Sequence, residues 1–307
     1  MSNENSAIEF LKRIKSNIYQ GIDFYFKYPK ISKKFDFEVL SNKATLQKLL
    51  SEKCSVSRFG DGEIVLMNME SIGFQEADTY LRDRLKEIIA SEEQGIMICL
   101  TDCMLTTDEM RREPAMYCRS WTVKHQKLIE EIVPHKRLYG CTNFTRFYAD
   151  LANKEYSFMQ SKVDMIKRIW DGSNVYLIEG EYTRCGIGND LLDNALSVHR
   201  IICPATNAFF KYSEILETAC KYIPLAENVL VLCLLGPTAT VLSYDLFKKG
   251  YRAIDMGHVD IEYEWFKRGT EWKEKLDCKA VNERGGNCPE NPIYSDEYKK
   301  QIICKVL

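Results

Sequence analysis

Ser55-Val56-Ser57-Arg58-Phe59-Gly60-Asp61-Gly62-Glu63 begins as a short strand-like run and breaks at once into glycine and carboxylate. The run has strand length and carries β-branched and aromatic residues. The two glycines that follow mark a turn. Similar short runs recur downstream at Gly95 to Leu100, Arg137 to Gly140, Asn174 to Glu179, Arg200 to Cys203, Val229 to Leu235 and Arg252 to Asp255. Between most of them lie stretches with apolar residues at three-four spacing, at Leu81 to Ala90, Val123 to Ile132, Asp164 to Trp170, Glu214 to Tyr222 and Thr240 to Lys249. Strands alternating with helices predict an α/β fold with a mostly parallel, Rossmann-like sheet flanked by helices.

In such sheets ligands bind beyond the carboxyl ends of the strands. Four predicted strands end in unusual company. Phe59 leads into Gly60-Asp61-Gly62-Glu63, and Glu179 leads into Gly180-Glu181-Tyr182-Thr183-Arg184-Cys185-Gly186-Ile187-Gly188-Asn189-Asp190. Leu235 leads into Gly236-Pro237-Thr238, and Asp255 into Met256-Gly257-His258-Val259-Asp260.

Asp61 and Glu63, one residue apart, face the same way if the segment is extended. Paired carboxylates suit a hard cation such as Mn²⁺ or Mg²⁺, which is held by one or two carboxylates plus substrate phosphates. Arg58 supplies a guanidinium for those phosphates. The same residues also describe an ordinary Asp-Gly turn with a helix-capping acid. In the segment after Glu179, Gly186, Gly188 and Asn189 precede a candidate helix start, an anion site to which Arg184 adds charge. The alternative is a glycine-rich turn with Arg184 paired to Glu179 or Glu181. Thr238 sits at a strand-to-helix transition, where a packing turn explains it equally well. From His258 onward polar and apolar residues alternate, so an extended chain would line up His258, Asp260, Glu262 and Glu264, whereas a helix would divide them. One of these is a natural general base for an acceptor hydroxyl.

Composition sets the frame. The chain has 307 residues, 45% hydrophobic and 28% charged, with a formal net charge of -2. It has material for a core and no cationic excess of the kind nucleic-acid binding needs, so no nucleic-acid partner is expected. Cysteines fall within predicted strands, as in Ile98-Cys99-Leu100, and read as buried reduced thiols; Cys99 and Cys103 lack zinc-site spacing. The start has no apolar signal region, and the longest apolar run, Val229 to Leu235, is only strand length. A cytoplasmic protein without a transmembrane segment is expected.

Ile8, Leu11, Ile14 and Ile18 recur at helical spacing ahead of Phe24-Tyr25-Phe26, which predicts an N-terminal helical extension over residues 1 to 44. Residues 283 to 292 are rich in breakers and predict a loop before a short terminal element.

Taken together, Arg58 to Glu63, Gly73-Phe74-Gln75, Thr145-Arg146-Phe147-Tyr148, Glu179 to Leu191, Gly236 to Thr240 and Asp255 to Phe266 resemble, in order and spacing, the GT-D-fold glycosyltransferases. That family was long called a domain of unknown function and is known from bacterial adhesin glycosylation. The resemblance spans residues 45 to 268, with 269 to 307 continuing the same domain. It implies a UDP-sugar donor, a divalent cation on a D-x-E motif falling on Asp61 and Glu63, and donor-site or catalytic roles for His258 and Glu264. The expected reaction moves a hexose, glucose or galactose first, to a glycan acceptor on a protein or lipid carrier. Arg58, Phe59, Gly60, Arg184, Gly186, Gly188, Asn189 and Thr238 are expected around the donor, with Glu264, His258 or Asp260 acting in catalysis. Assembly as a homo-oligomer or with a partner glycosyltransferase stays open. The competing classes are a metal-dependent phosphohydrolase or nucleotidyltransferase and a non-catalytic nucleotide-binding protein.

Overall fold

The computed structural model describes residues 21–281 and 295–307. Its centre is one sheet of nine strands: β1 (Glu38–Val39), β2 (Ser55–Phe59), β3 (Ile96–Leu100), β4 (Leu138–Cys141), β5 (Asn174–Gly180), β6 (Ser197–Cys203), β7 (Val229–Leu234), β8 (Ala253–Asp255) and β9 (Ile302–Lys305). Their order is β1-β4-β3-β2-β8-β7-β5-β6-β9, and every neighbouring pair is parallel. Parallel neighbours require crossovers, and helices covering both faces make the central strands apolar throughout. Every residue of β3 and β7 is accordingly buried.

Strand alternation divides the core in two. Ile96, Ile98 and Leu100 of β3 pack with Leu81, Leu85 and Ile88 of helix Thr79–Ile89 and with Leu242 and Leu246 of helix Pro237–Lys248. Met97 and Cys99 face the opposite layer with Leu46, Leu49, Trp170 and Trp265. All seven predicted strands are present, and the sheet is wholly rather than mostly parallel.

Two edge strands lie outside the predicted ones. β1 has two residues paired to β4, and β9 pairs with β6 across a register shift. The predicted helix at Ile8 to Ile18 lies outside the described residues, as does the predicted loop at 283 to 292. The described part of the extension is tied to the domain: the Tyr28 hydroxyl donates to the Cys103 carbonyl at 2.8 Å, and the Arg119 guanidinium lies 4.1 Å from the Phe24 ring centre. The described cysteines are all free thiols, and no helix among the described residues is long and apolar enough to cross a membrane.

The chain walks outward from β2 through β3 to β4, then crosses to β5 and β6 before β7 and β8 fill in beside β2. This reversal opens a crevice at the carboxyl ends of the central strands. Gly236 ends β7 there with φ +55°, and a Cβ on it would stand 2.7 Å from the Phe74 ring, so the turn into helix Pro237–Lys248 demands glycine.

Candidate active site

The acidic turn after β2 is helical rather than extended. Asp61–Met67 is a helix with Gly60 as N-cap, and the Glu63 carboxylate folds back so that Oε2 accepts the Gly60 N–H at 2.7 Å. This is a capping arrangement that satisfies an otherwise orphaned donor. Burial, with the nearby Asp255 charge adding to it, pushes the Glu63 carboxyl up to about 7. Asp61 is exposed at the helix start; its Oδ2 accepts the Tyr117 hydroxyl at 3.0 Å. The two carboxylates therefore share one turn and one cavity but differ in surroundings, because helical geometry turns them away from the common extended face. As a donor set they fit a hard divalent ion, since both offer oxygen and a buried carboxylate gains from a cation nearby. Among the described residues no group of three or more His, Cys, Asp or Glu forms a ready cage, so substrate oxygens would complete the coordination.

Arg58 stands at the tip of β2 and is spent on the protein itself. Its Nη2 meets Asp255 Oδ1 at 2.7 Å, Nε donates to the Asp255 carbonyl at 2.9 Å, and Nη1 donates to Thr145 Oγ1 at 3.0 Å. The pairing of β2 with β8 brings the two residues together. Gly257, with φ +46°, leaves room for this guanidinium: a Cβ there would lie 1.9 Å from Nη2. Arg58 thus borders the cavity as the clamp of its wall, its donors already turned to Asp255 and Thr145. Phe59 is wholly buried in the core, and Thr238 is buried within helix Pro237–Lys248.

The chain after Asp255 also becomes a helix, Val259–Arg268, with His258 at its N-cap. Gly257 in the left-handed region ends the extended chain, and helical spacing then puts Asp260 and Glu264 on one side and Glu262 on another. Asp260 Oδ1 accepts the Gly186 N–H at 2.8 Å and Asn189 Nδ2 at 3.0 Å; Asn189 Nδ2 also reaches Glu264 Oε1 at 2.7 Å. Lys279, absent from the sequence expectations, binds Asp260 at 2.7 Å and Glu264 at 2.9 Å. The Gly186-Ile187-Gly188-Asn189 turn thus grips two carboxylates rather than facing the cavity. His258 and Asp260 line the cavity, whereas Glu264 lies behind Asn189.

Arg184 is likewise turned away from the crevice. It is 1% exposed and donates to the Cys278 carbonyl at 3.1 Å. Nor does it pair with Glu179, whose Oε1 meets Arg200 Nη1 at 2.5 Å. Arg146, by contrast, lines the cavity together with Arg58, and its Nη2 lies 3.3 Å from His258 Nδ1. Its turn is held by Glu262, whose Oε2 accepts the N–H groups of Tyr148 and Ala149, both at 2.8 Å.

Burial raises the Glu262 carboxyl to about 7, above the ordinary value near 4.3. Between those two values the folded protein keeps a proton that the unfolded chain has released, so stability falls as pH rises through the window. Urea unfolding should show Glu262→Gln gaining on the wild type by up to about 3 kcal/mol from pH 4.5 to pH 7.5. A constant difference across that range would contradict the assignment.

The cavity gathers the ends of β2, β4, β5, β6, β7 and β8. Helices starting at Asp61, Pro237 and Val259 follow β2, β7 and β8, so three helix N-termini lie at this end of the sheet. Phe74, Tyr182, Thr183 and Asn207 are among its other lining residues. Phe74, Tyr182 and Thr183 fall within motifs that carry the family resemblance, with no role expected of them individually. Asn207 was missed, and its left-handed backbone, with φ +52°, carries no clear sequence signature.

The family model described as "Glycosyltransferase GT-D fold" matches residues 56–284. The chain is 38% identical over 271 residues to a probable glycosyl transferase Gly of Streptococcus gordonii, covering 87% of this chain and 39% of that protein. It is 35% identical over 271 residues to the glycosyltransferase GlyD of Streptococcus pneumoniae serotype 4, covering 86% and 32% respectively. It therefore spans about a third to two fifths of these relatives. A solved structure described as "The highly conserved domain of unknown function 1792 has a distinct glycosyltransferase fold" superposes with a TM-score of 0.85 at 34% identity, covering 92% of this chain and 99% of the other. On the family model's span and the identity to the solved structure, the chain belongs to the glycosyltransferases of the GT-D fold.

Proposed function

We propose that this chain transfers a hexose, glucose or galactose first, from a UDP-sugar to a glycan acceptor on a protein or lipid carrier, with Mn²⁺ or Mg²⁺ as cofactor. The observation that carries this reading is the meeting of the Asp61 and Glu63 turn, itself a helix start, with two further helix starts around one cavity. Backbone N–H groups and carboxylates at one place suit a diphosphate that arrives with a cation. When bound, the ion supplies Lewis-acid stabilisation of the charge on the departing diphosphate.

The protein's own groups divide the remaining work. Asp61 and Glu63 hold the ion, and Arg146 faces the negative charge that develops. Asp255 and Thr145 keep Arg58 in place as part of the wall. Asp260, held by Gly186, Asn189 and Lys279, orients the start of its helix. His258 is the base for the acceptor hydroxyl if the reaction inverts the anomeric centre. The cytoplasm, where nucleotide sugars are available, is the proposed setting.

A thermal-shift panel of nucleotide sugars with and without Mn²⁺ tests the reading, because a ligand that binds only the folded state raises its melting temperature. UDP-sugars should shift melting in a Mn²⁺-dependent way, and UDP release should grow when acceptor glycans are added. Release of UMP or inorganic phosphate would favour the hydrolase or nucleotidyltransferase class. UDP binding without turnover on any acceptor would favour a sensor.

A further inference from the structure

A second cavity, of about 570 Å³, opens on the far side of Asp61. It lies beyond the carboxyl ends of β3 and β4, under helix Arg112–Lys124 and the segment around Trp272. Its volume falls within the range of about 300–1,000 Å³ usual for small-ligand sites. Gly60, Asp61, Thr142 and Arg146 line both this cavity and the first, so the two meet at the turn that the proposed function assigns to the ion and diphosphate.

Its chemistry differs from that of the first cavity. The rings of Tyr117, Trp121 and Trp272 face it, and Tyr117 and Trp272 are 59% and 50% exposed. Half-exposed aromatic rings leave apolar surface in water unless a ligand covers it. Polar groups stand among them: Arg111, Asn143 and the ion pair of Asp150 with Lys273 at 2.8 Å. Flat apolar faces beside hydrogen-bonding groups match a sugar ring, which presents C–H groups on its faces and hydroxyls around its rim.

The aromatic wall is also held in advance. The Arg111 guanidinium lies 4.2 Å from the Trp272 ring centre and donates to the Ala149 carbonyl at 2.8 Å. The adjacent Lys273 is tied to Asp150. Trp272 is therefore anchored to the same turn that carries Arg146, and a preformed wall lowers the cost of ordering a ligand against it.

We infer that this cavity is the acceptor subsite and that it binds the terminal sugar of the acceptor glycan, with Trp272 as its stacking platform. The inference rests on the glycosyltransferase reading above. A sugar held there points its hydroxyls across Asp61 and Arg146 toward the donor cavity. Tyr117, whose hydroxyl already donates to Asp61, stands at the junction of the two sites.

The test uses the full chain with UDP and Mn²⁺ present, titrated with lactose, cellobiose and N,N′-diacetylchitobiose. Intrinsic tryptophan emission reports binding, and UDP release from UDP-glucose and UDP-galactose reports transfer. At least one saccharide should perturb emission. Trp272→Ala should weaken its binding, or raise its KM, by tenfold or more, with kcat changed less than threefold and the UDP-induced thermal shift retained. Trp272→Phe, which keeps a ring, should recover most of the loss. Saccharide affinity within twofold of wild type in Trp272→Ala overturns the inference, as does the absence of any saccharide response in a protein that binds UDP. A wild-type protein that shows no uridine-nucleotide shift at all would instead sink the underlying transferase reading.

Discussion

Replacing Lys279 with methionine should lower folding stability by about 3–5 kcal/mol, the usual cost of removing one partner from a buried ion pair. Lys279 is 1% exposed, and its ammonium is shared between Asp260 and Glu264. Burial alone would depress its pKa, but the two carboxylates outweigh that and hold it above the ordinary lysine value. With the ammonium gone, two carboxylates remain side by side on one helix face. Asn189 and the Gly186 N–H cannot offset both charges. Glu264 keeps the Asn189 amide at 2.7 Å and, as a cationic neighbour, Arg268 at the longer distance of 3.7 Å. A second variant separates lost charge balance from lost packing: Lys279→Met combined with Asp260→Asn and Glu264→Gln should recover at least half of the loss, since neutral amides need no counter-ion. Urea unfolding of the three proteins checks this. A single variant within about 1 kcal/mol of wild type, or a triple variant no better than the single, would mean that Lys279 does not balance the pair.

The role of Lys279 is not legible in the sequence around it. The neighbouring residues 276–281 lack the apolar periodicity that makes helices and strands visible, and the lysine acquires its role from a fold-back onto helix Val259–Arg268. The central strands were readable because parallel strands buried on both faces must be short continuous apolar runs. The two outer strands were not, since β1 has two residues and β9 borrows its pairing from β6.

Within the site, the residues at strand ends were legible but their partners were not. Arg58 beside an acidic turn reads as a phosphate ligand, yet the β2 and β8 pairing delivers Asp255, far along the chain, to its guanidinium. Alternation from His258 to Glu264 fits a strand and a helix equally well until Gly257 turns into the left-handed region and stops the extended chain. Once the helix is known, the spacing of Asp260 and Glu264 places both carboxylates beside the Asn189 side chain. Gly186 to Asn189 is expected to hold a donor anion; in the structure its backbone and side-chain N–H groups bind a carboxylate oxygen instead. That carboxylate belongs to the protein.

Asp61→Asn is expected to reduce transfer by about 10²–10³-fold, a loss comparable with removing a preorganised electrostatic contact to the transition state. Folding stability should stay within about 0.5 kcal/mol of wild type, as for surface substitutions away from packed features. The side chain is exposed, and its described contacts are the Tyr117 hydroxyl on Oδ2 and the Gly62 N–H on Oδ1, one of which the asparagine oxygen still accepts while water takes the other at the surface. Glu63 should behave differently, because its carboxylate is also the cap of its own helix. Glu63→Ala loses that cap and should cost about 1 kcal/mol as well as activity. Glu63→Gln keeps an oxygen for the Gly60 N–H, so it should restore the stability without restoring transfer. Unfolding curves and UDP-release rates, measured on the same preparations, distinguish the two residues. Wild-type turnover in either Asp61→Asn or Glu63→Gln would remove that carboxylate from the proposed ion site, while a marked loss of stability in Asp61→Asn would show that its role lies in the fold.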